Sequence, residues 1–248
     1  MATAVLGSPA IEKPYSRSRE HQFFCGMSVL IALVIFTGFA RTYFLAGLFH
    51  AKPLPAVIVH IHGAVFTSWI VLLVVQTSLA ASGRADIHRR LGLLGLGLAP
   101  LMVALGVLVA GEMLGRFWAI PGIDAKGIYA VALSEILGFA VPVTFAFRLR
   151  RKPAFHKRLI LIGTIAMTTA GFGRWPVHFL LHKPFPAMMA AFSLLLLLAA
   201  YDLLSMRRIH RATALGGAWV VLIELTAVAI GHTATWQSFA THMHSLGV

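Results

Sequence analysis

A single cysteine, Cys25, stands in the whole chain, which excludes an intrachain disulfide and any cysteine-rich metal site. Acidic residues are nearly as scarce, 8 against 21 Lys and Arg. Charged residues of both signs make up only 12% of a chain that is 58% hydrophobic. A soluble domain with so little charge would leave large apolar surfaces in water, so an integral membrane protein is expected. No lysine lies inside an apolar run, which excludes a retinal Schiff base. There is no P-loop, no G-x-S-x-G elbow, no dinucleotide fingerprint and no H-E-x-x-H zinc signature. The formal charge of +13 would suggest nucleic acid in a soluble chain. Here the cations cluster between apolar runs, where they set topology and meet anionic lipid, so the bilayer is the expected partner and no nucleic acid is implied.

What is abundant is apolar sequence in lengths of about 20 residues, the span of a membrane helix. Seven segments qualify, at 22–46, 54–82, 92–115, 127–149, 158–182, 185–204 and 214–236. They predict an all-α, polytopic seven-helix bundle: one leading helix followed by three hairpins. Residues 1–21 form an N-terminal arm, 22–236 the transmembrane domain and 237–248 a short tail. The first apolar run lacks a convincing A-x-A cleavage site and reads as an uncleaved signal anchor. Gly171, Gly173 and Pro176 interrupt the fifth segment near its far end and predict a kink there.

The basic residues fall in alternate connections. Lys13, Arg17 and Arg19 precede the first helix; Arg84, Arg89 and Arg90, then Arg148 to Lys152, Lys157 and Arg158, then Arg207, Arg208 and Arg211 follow the second, fourth and sixth. The other connections hold sparse cations such as Lys52, Arg116, Lys126 and Lys183. The positive-inside rule therefore predicts a multi-pass membrane protein with its N-terminus in the cytoplasm and its C-terminus outside. HRRLGLLGLG at 88, HKRLILIGT at 156 and HRATALGGA at 210 each follow such a turn, a repetition that duplication or selection for topology would equally produce.

With directions assigned, each ionisable residue acquires a depth at about 1.5 Å per residue. His60 and His62 begin the second helix; Arg174, His178 and His182 end the fifth. Glu112 lies near the outer end of the third, Glu135 about two turns into the fourth, Glu224 in the middle of the seventh and His232 two turns beyond it. Nearly all fall in the outer half, and such groups usually face a bundle interior or a wet cavity. Arg174, His178 and His182 are spaced i, i+4, i+8, one stripe of a helix. His60 and His62 point about 200° apart, and His62 is the expected inward one because Phe66, Trp69 and Gln76 continue its face. Gly63 would let a neighbouring helix or a planar ligand approach. His88, His156 and His210, each followed by Arg or Lys, read as interfacial anchors; the alternative is that His88 and His156 clamp a second cofactor.

His62, Trp69, Gln76, Arg84 and the HRRLG at 88–92 fall in the pattern H-x5-6-W-x6-Q-x7-R-x3-HRRLG. With AFHKRL, the Arg174 region and YDLLSMRRIHRAT, this resembles a widespread family of uncharacterised multi-spanning bacterial membrane proteins, over most of the chain from about residue 23. The family resemblance implies a membrane bundle and no particular activity. A fainter similarity is to ascorbate-reducible transmembrane b-type cytochromes, where histidines at helix ends hold haems. The fourth helix here has no histidine, so that ligand pairing does not carry over intact.

These readings converge on a His/Arg/Glu-lined cavity in the outer leaflet. One expectation is b-type haem held by His62 and His178, with Arg174 meeting a propionate and Gly63 giving room, for electron transfer with a membrane redox partner. The alternatives are a transporter, a sensor or a metal-handling protein in which His62, His178 and His182 take a transition metal, or an accessory subunit of a larger complex with no cofactor.

Overall fold

The computed structural model describes residues 17–51, 56–181 and 183–247. Lys13, Lys52, His182 and Val248 lie outside these. Among the described residues the regular structure is all helical, and six helices are long and apolar enough to cross a membrane. The architecture is that of a multi-pass helical membrane protein.

The chain runs through α1 (Arg17–Phe39), a π-helical turn (Ala40–Phe44), α2 (Val57–Ala81), α3 (Ala85–Trp118) and α4 (Ala125–Arg148). It continues through α5 (Pro153–Ala166), the single turn α6 (Thr169–Phe172), α7 (Pro184–Met206), α8 (Arg211–Ile230) and α9 (Ala234–Ser245). Neighbours in sequence pack as neighbours in space, and α8 closes the bundle against α4 and α5. The basic turns gather at one end: Lys157 pairs with Glu20, and His210 packs edge-on against Phe155 at 4.7 Å.

The fifth expected span is where the fold departs from the sequence reading. α5 has 14 residues, about 21 Å of helix and short of a 30 Å hydrocarbon core. The helix breaks at Met167 and Thr168, resumes for one turn, and from Gly173 to Lys183 the described backbone is turns. Both threonines by the break bond back to the preceding turn, Thr164 Oγ1 to the Ile160 carbonyl at 2.8 Å and Thr168 Oγ1 to that of Ile165 at 2.7 Å, a pattern that bends helices. Pro176 supplies no amide donor and helps keep the later stretch from recovering. Such backbone survives at membrane depth only where protein covers it, and the part nearest the break is covered by α1. Trp175 Nε1 donates to the Val34 carbonyl of α1 at 3.1 Å. A Cβ on Gly38 would stand 2.2 Å from the Gly171 oxygen, so α1 and α6 meet backbone to backbone. The helical stripe expected of Arg174 and His178 therefore does not form, because the helix ends at Phe172.

The C-terminal end differs too. α8 stops at Ile230, and the expected short tail is instead part of an amphipathic helix, α9, that packs on α3 and α4. Trp236, Ala240 and Met243 form its inner face, with Trp236 Nε1 donating to the Lys126 carbonyl at 2.8 Å.

Candidate functional site

α2 turns His62 inward and leaves His60 exposed beside Tyr43. His62 stacks on Phe66 with ring centroids 3.9 Å apart. Two turns on from His62, buried Trp69 donates its indole N–H to Thr164 Oγ1 of α5 at 3.1 Å. Gln76 continues the face and gives its amide to the His88 carbonyl at 3.2 Å. The His62 Nδ1 is buried with no hydrogen-bond partner among the described residues; the ring also meets the backbone of Leu105 on α3. Gly63 is not open space: a Cβ there would stand 2.9 Å from the Tyr43 ring and hydroxyl. The close approach expected of Gly63 is made by an aromatic side chain of the same protein. Gly171 likewise serves the contact with Gly38, and Gly173 faces Ala187.

Arg174 sits on the turn after α6. Its Nη1 donates to the Ala170 carbonyl at 2.7 Å, and the guanidinium lies 4.5 Å above the centre of the Phe39 ring. Its charge acts on His62 of α2 and on Glu135 of α4. The acid that answers Arg174 is thus Glu135 rather than Glu224, and the two side chains do not close to an ion pair.

Glu224 is the most unusual member. It is 0% exposed, and neither carboxyl oxygen has a hydrogen-bond partner among the described residues. A Cβ built on Gly138 of α4 would lie 3.8 Å from Glu224 Oε1 and 3.0 Å from the Cβ of Ala166, the last residue of α5. The carboxyl is therefore held beside the break in the fifth segment, and the acidic charge that reaches it is that of Glu135. The hydroxyl of buried Thr169, on α6, likewise has no hydrogen-bond partner among the described residues. His62, Glu135, Arg174 and Glu224 come from four different stretches of chain, and each is linked electrostatically to at least one of the others.

The remaining candidates lie elsewhere. Glu112 accepts both oxygens' worth of hydrogen bonds from Arg116, one turn along α3, at 2.6 Å. His232 is exposed on the turn after α8, 4.0 Å from Asp124. His178 is exposed on a turn, and His182 is outside the described residues. Among the described residues no three His, Cys, Asp or Glu side chains are grouped to hold a metal ion.

At the basic end the histidines serve as fasteners. His88 Nδ1–H donates to the Gln76 carbonyl at 3.2 Å and His156 Nδ1–H to that of Ala146 at 2.9 Å, each closing a helical hairpin. His210 caps α8, its Nδ1 accepting the Ala212 amide at 3.1 Å. Between them lies a group that the basic-cluster reading of Arg158 overlooked. Arg158 and Asp202 are a fully buried ion pair, with Arg158 Nε and Nη2 on Asp202 Oδ1 at 3.0 and 2.6 Å. The other oxygen accepts Thr213 Oγ1–H at 2.5 Å and the His210 amide at 3.1 Å. A lone acid near the end of an apolar run, facing a loop rich in cations, was the available signal for Asp202. Comparison with protein-family models, with curated proteins and with solved structures finds no match to this chain.

Proposed function

We propose that the chain is a bacterial inner-membrane protein, N-terminus inside, whose His62, Glu135, Arg174 and Glu224 cluster handles a small ionic species that enters from the face opposite the basic turns. The class of activity is transport or sensing. The observation that supports this best is the convergence, inside an apolar bundle, of ionisable groups from four segments that the fold does not pair with one another. Buried polar groups are normally satisfied, and intramembrane ionisable residues by default mark a functional pathway. The broken fifth segment beside them matches the discontinuous helices that line transporter binding sites.

The test is accessibility. In a Cys25→Ser background, single cysteines in place of His62 and Arg174 should react with a small membrane-impermeant thiol reagent added to intact cells. Cysteines in place of His88 and His156 should react only after permeabilisation. If His62→Cys and Arg174→Cys also need permeabilisation, the assigned entrance is wrong.

A second reading, b-type haem for electron transfer, keeps one specific support: the free, buried His62 Nδ1 beside the positive charge of Arg174, one potential axial ligand near a potential propionate partner. His178, exposed on a turn, is poorly placed as the second ligand. Purified protein should then be coloured, with a Soret band lost in His62→Ala. A colourless protein expressed with ample haem would end this reading.

A further inference from the structure

We propose that Glu224 is a proton-carrying carboxyl group, exchanging its proton with Glu135; this rests on the ion-handling reading above and names the ion. The carboxyl is 0% exposed, and neither oxygen meets a donor. Its described surroundings are Gly138 and Ile223 side by side with the end of α5 at Ala166. An ionised carboxylate in such a place would lose its hydration with nothing to replace it, a cost large enough that buried groups neutralise instead. A cation must therefore accompany it. A sodium ion needs several further oxygen ligands. A proton needs none, because it makes the group neutral where it stands.

The packing elements narrow where the proton goes. α8 packs on α4, α5 and α7. The ionisable residues of α5 and α7, including His156, Lys157, Arg158 and Asp202, belong to the network at the basic end. α4 contributes Glu135, whose charge does reach Glu224 and which is itself under the influence of Arg174. In the exchange, the O–H bond of Glu224 breaks, its electron pair stays on the Glu224 oxygen, and the proton forms a new O–H bond on the Glu135 carboxylate. No electrons change owner and no co-reactant is consumed. The Arg174 charge reaches Glu135 and is not among those acting on Glu224, so the resting proton is assigned to Glu224. The helix break next to the carboxyl is where a small rearrangement of backbone would admit or shut out water.

Infrared spectroscopy of the purified protein in lipid nanodiscs tests this directly. Wild type should show a protonated-carboxyl C=O band at neutral pH that shifts when the sample is moved into D2O. Glu224→Gln should lose that band, and Glu135→Gln should keep it but slow its shift. Glu224→Asp, which retains a carboxyl, should retain a band at a displaced frequency and guards against loss by misfolding. Absence of the band in wild type, its survival in Glu224→Gln, or a band that never shifts in D2O would each overturn the assignment. The thiol-labelling result is independent of all three. A cavity open to the reagent with no exchangeable Glu224 proton refutes the proton and leaves the cavity, whereas a closed cavity refutes the parent reading.

Discussion

Asp202→Ala would strip a fully buried guanidinium of its counter-ion. The Arg158 and Asp202 side chains are 2% and 0% exposed, so water cannot replace what is lost. Removing one partner of a buried pair costs about 3–5 kcal/mol. The His210 amide and the Thr213 hydroxyl also lose the acceptor they share on Asp202 Oδ2, each worth about 1–3 kcal/mol if left unsatisfied. These contributions overlap and do not add. Because membrane proteins commonly unfold irreversibly, the measurable quantity is the half-life of the folded form at fixed temperature in detergent. If the loss falls on the unfolding barrier, about 3 kcal/mol shortens that half-life on the order of 100-fold. The control is Arg158→Met with Asp202→Leu and Thr213→Val. Apolar replacement of a whole buried pair is often neutral, so this triple variant should recover most of the lost half-life. An Asp202→Ala protein within about threefold of wild type, or a triple variant no better than the single, would refute the reasoning that charge burial governs this end of the bundle.

Three other outcomes are expected. Gly38→Ala should destabilise by about 1–3 kcal/mol through overpacking, since its Cβ would meet the Gly171 oxygen at 2.2 Å, whereas Gly26→Ala, with nothing within 4 Å, should not; thermal unfolding of the two variants compares them. Burial, reinforced by the Arg158 charge, holds the His210 imidazole below its ordinary 6.5, so the unfolded chain binds that proton more readily than the folded one. Stability is then full above roughly pH 6.5 and declines as pH falls below it, and His210→Asn, which can still cap α8, should flatten that part of the pH profile measured by melting. Reporter fusions after Arg151 and after Leu246 should report opposite sides of the membrane, and identical sides would overturn the proposed orientation.

Much of the fold was readable because hydrophobic length and basic clustering are local properties: the bounds of α2, α4 and α7 follow from them. The inward choice of His62 over His60 was readable as well, since Phe66, Trp69 and Gln76 repeat on one helical face. The interruption of the fifth segment was signalled by Gly171, Gly173 and Pro176, but its position was not. The break at Met167 depends on Thr164 and Thr168 turning their hydroxyls onto their own backbone, and on Val34 offering a carbonyl to Trp175 from a helix more than a hundred residues away. The same limit applies to the site. Spacing placed His178 with Arg174 by assuming a helix that does not continue, while it could not reveal that Tyr43 fills the space over Gly63 or that Asp202 reaches across to Arg158. α9 was overlooked for a different reason: it is too short to span a membrane, and its Trp236, Ala240 and Met243 periodicity becomes meaningful only once α3 and α4 offer a surface.

The length of α3 sets how this protein sits in its surroundings. With 34 residues it is about 51 Å long, and even at a tilt of about 40° it covers more depth than a hydrocarbon core of about 30 Å. Its uncharged stretch, residues 91–111, is about 31 Å and fits that core almost upright, leaving Arg89 and Arg90 at one rim and the Glu112–Arg116 pair at the other. The far rim is broadened by α9, where His244 stacks on Trp118 at 4.1 Å and Lys126 lies 4.9 Å above the same ring. Aromatic rings with cations beside them favour the headgroup layer. The helix thus carries a charged stop at each end, and a thicker or thinner bilayer would be met by lipids deforming around these stops.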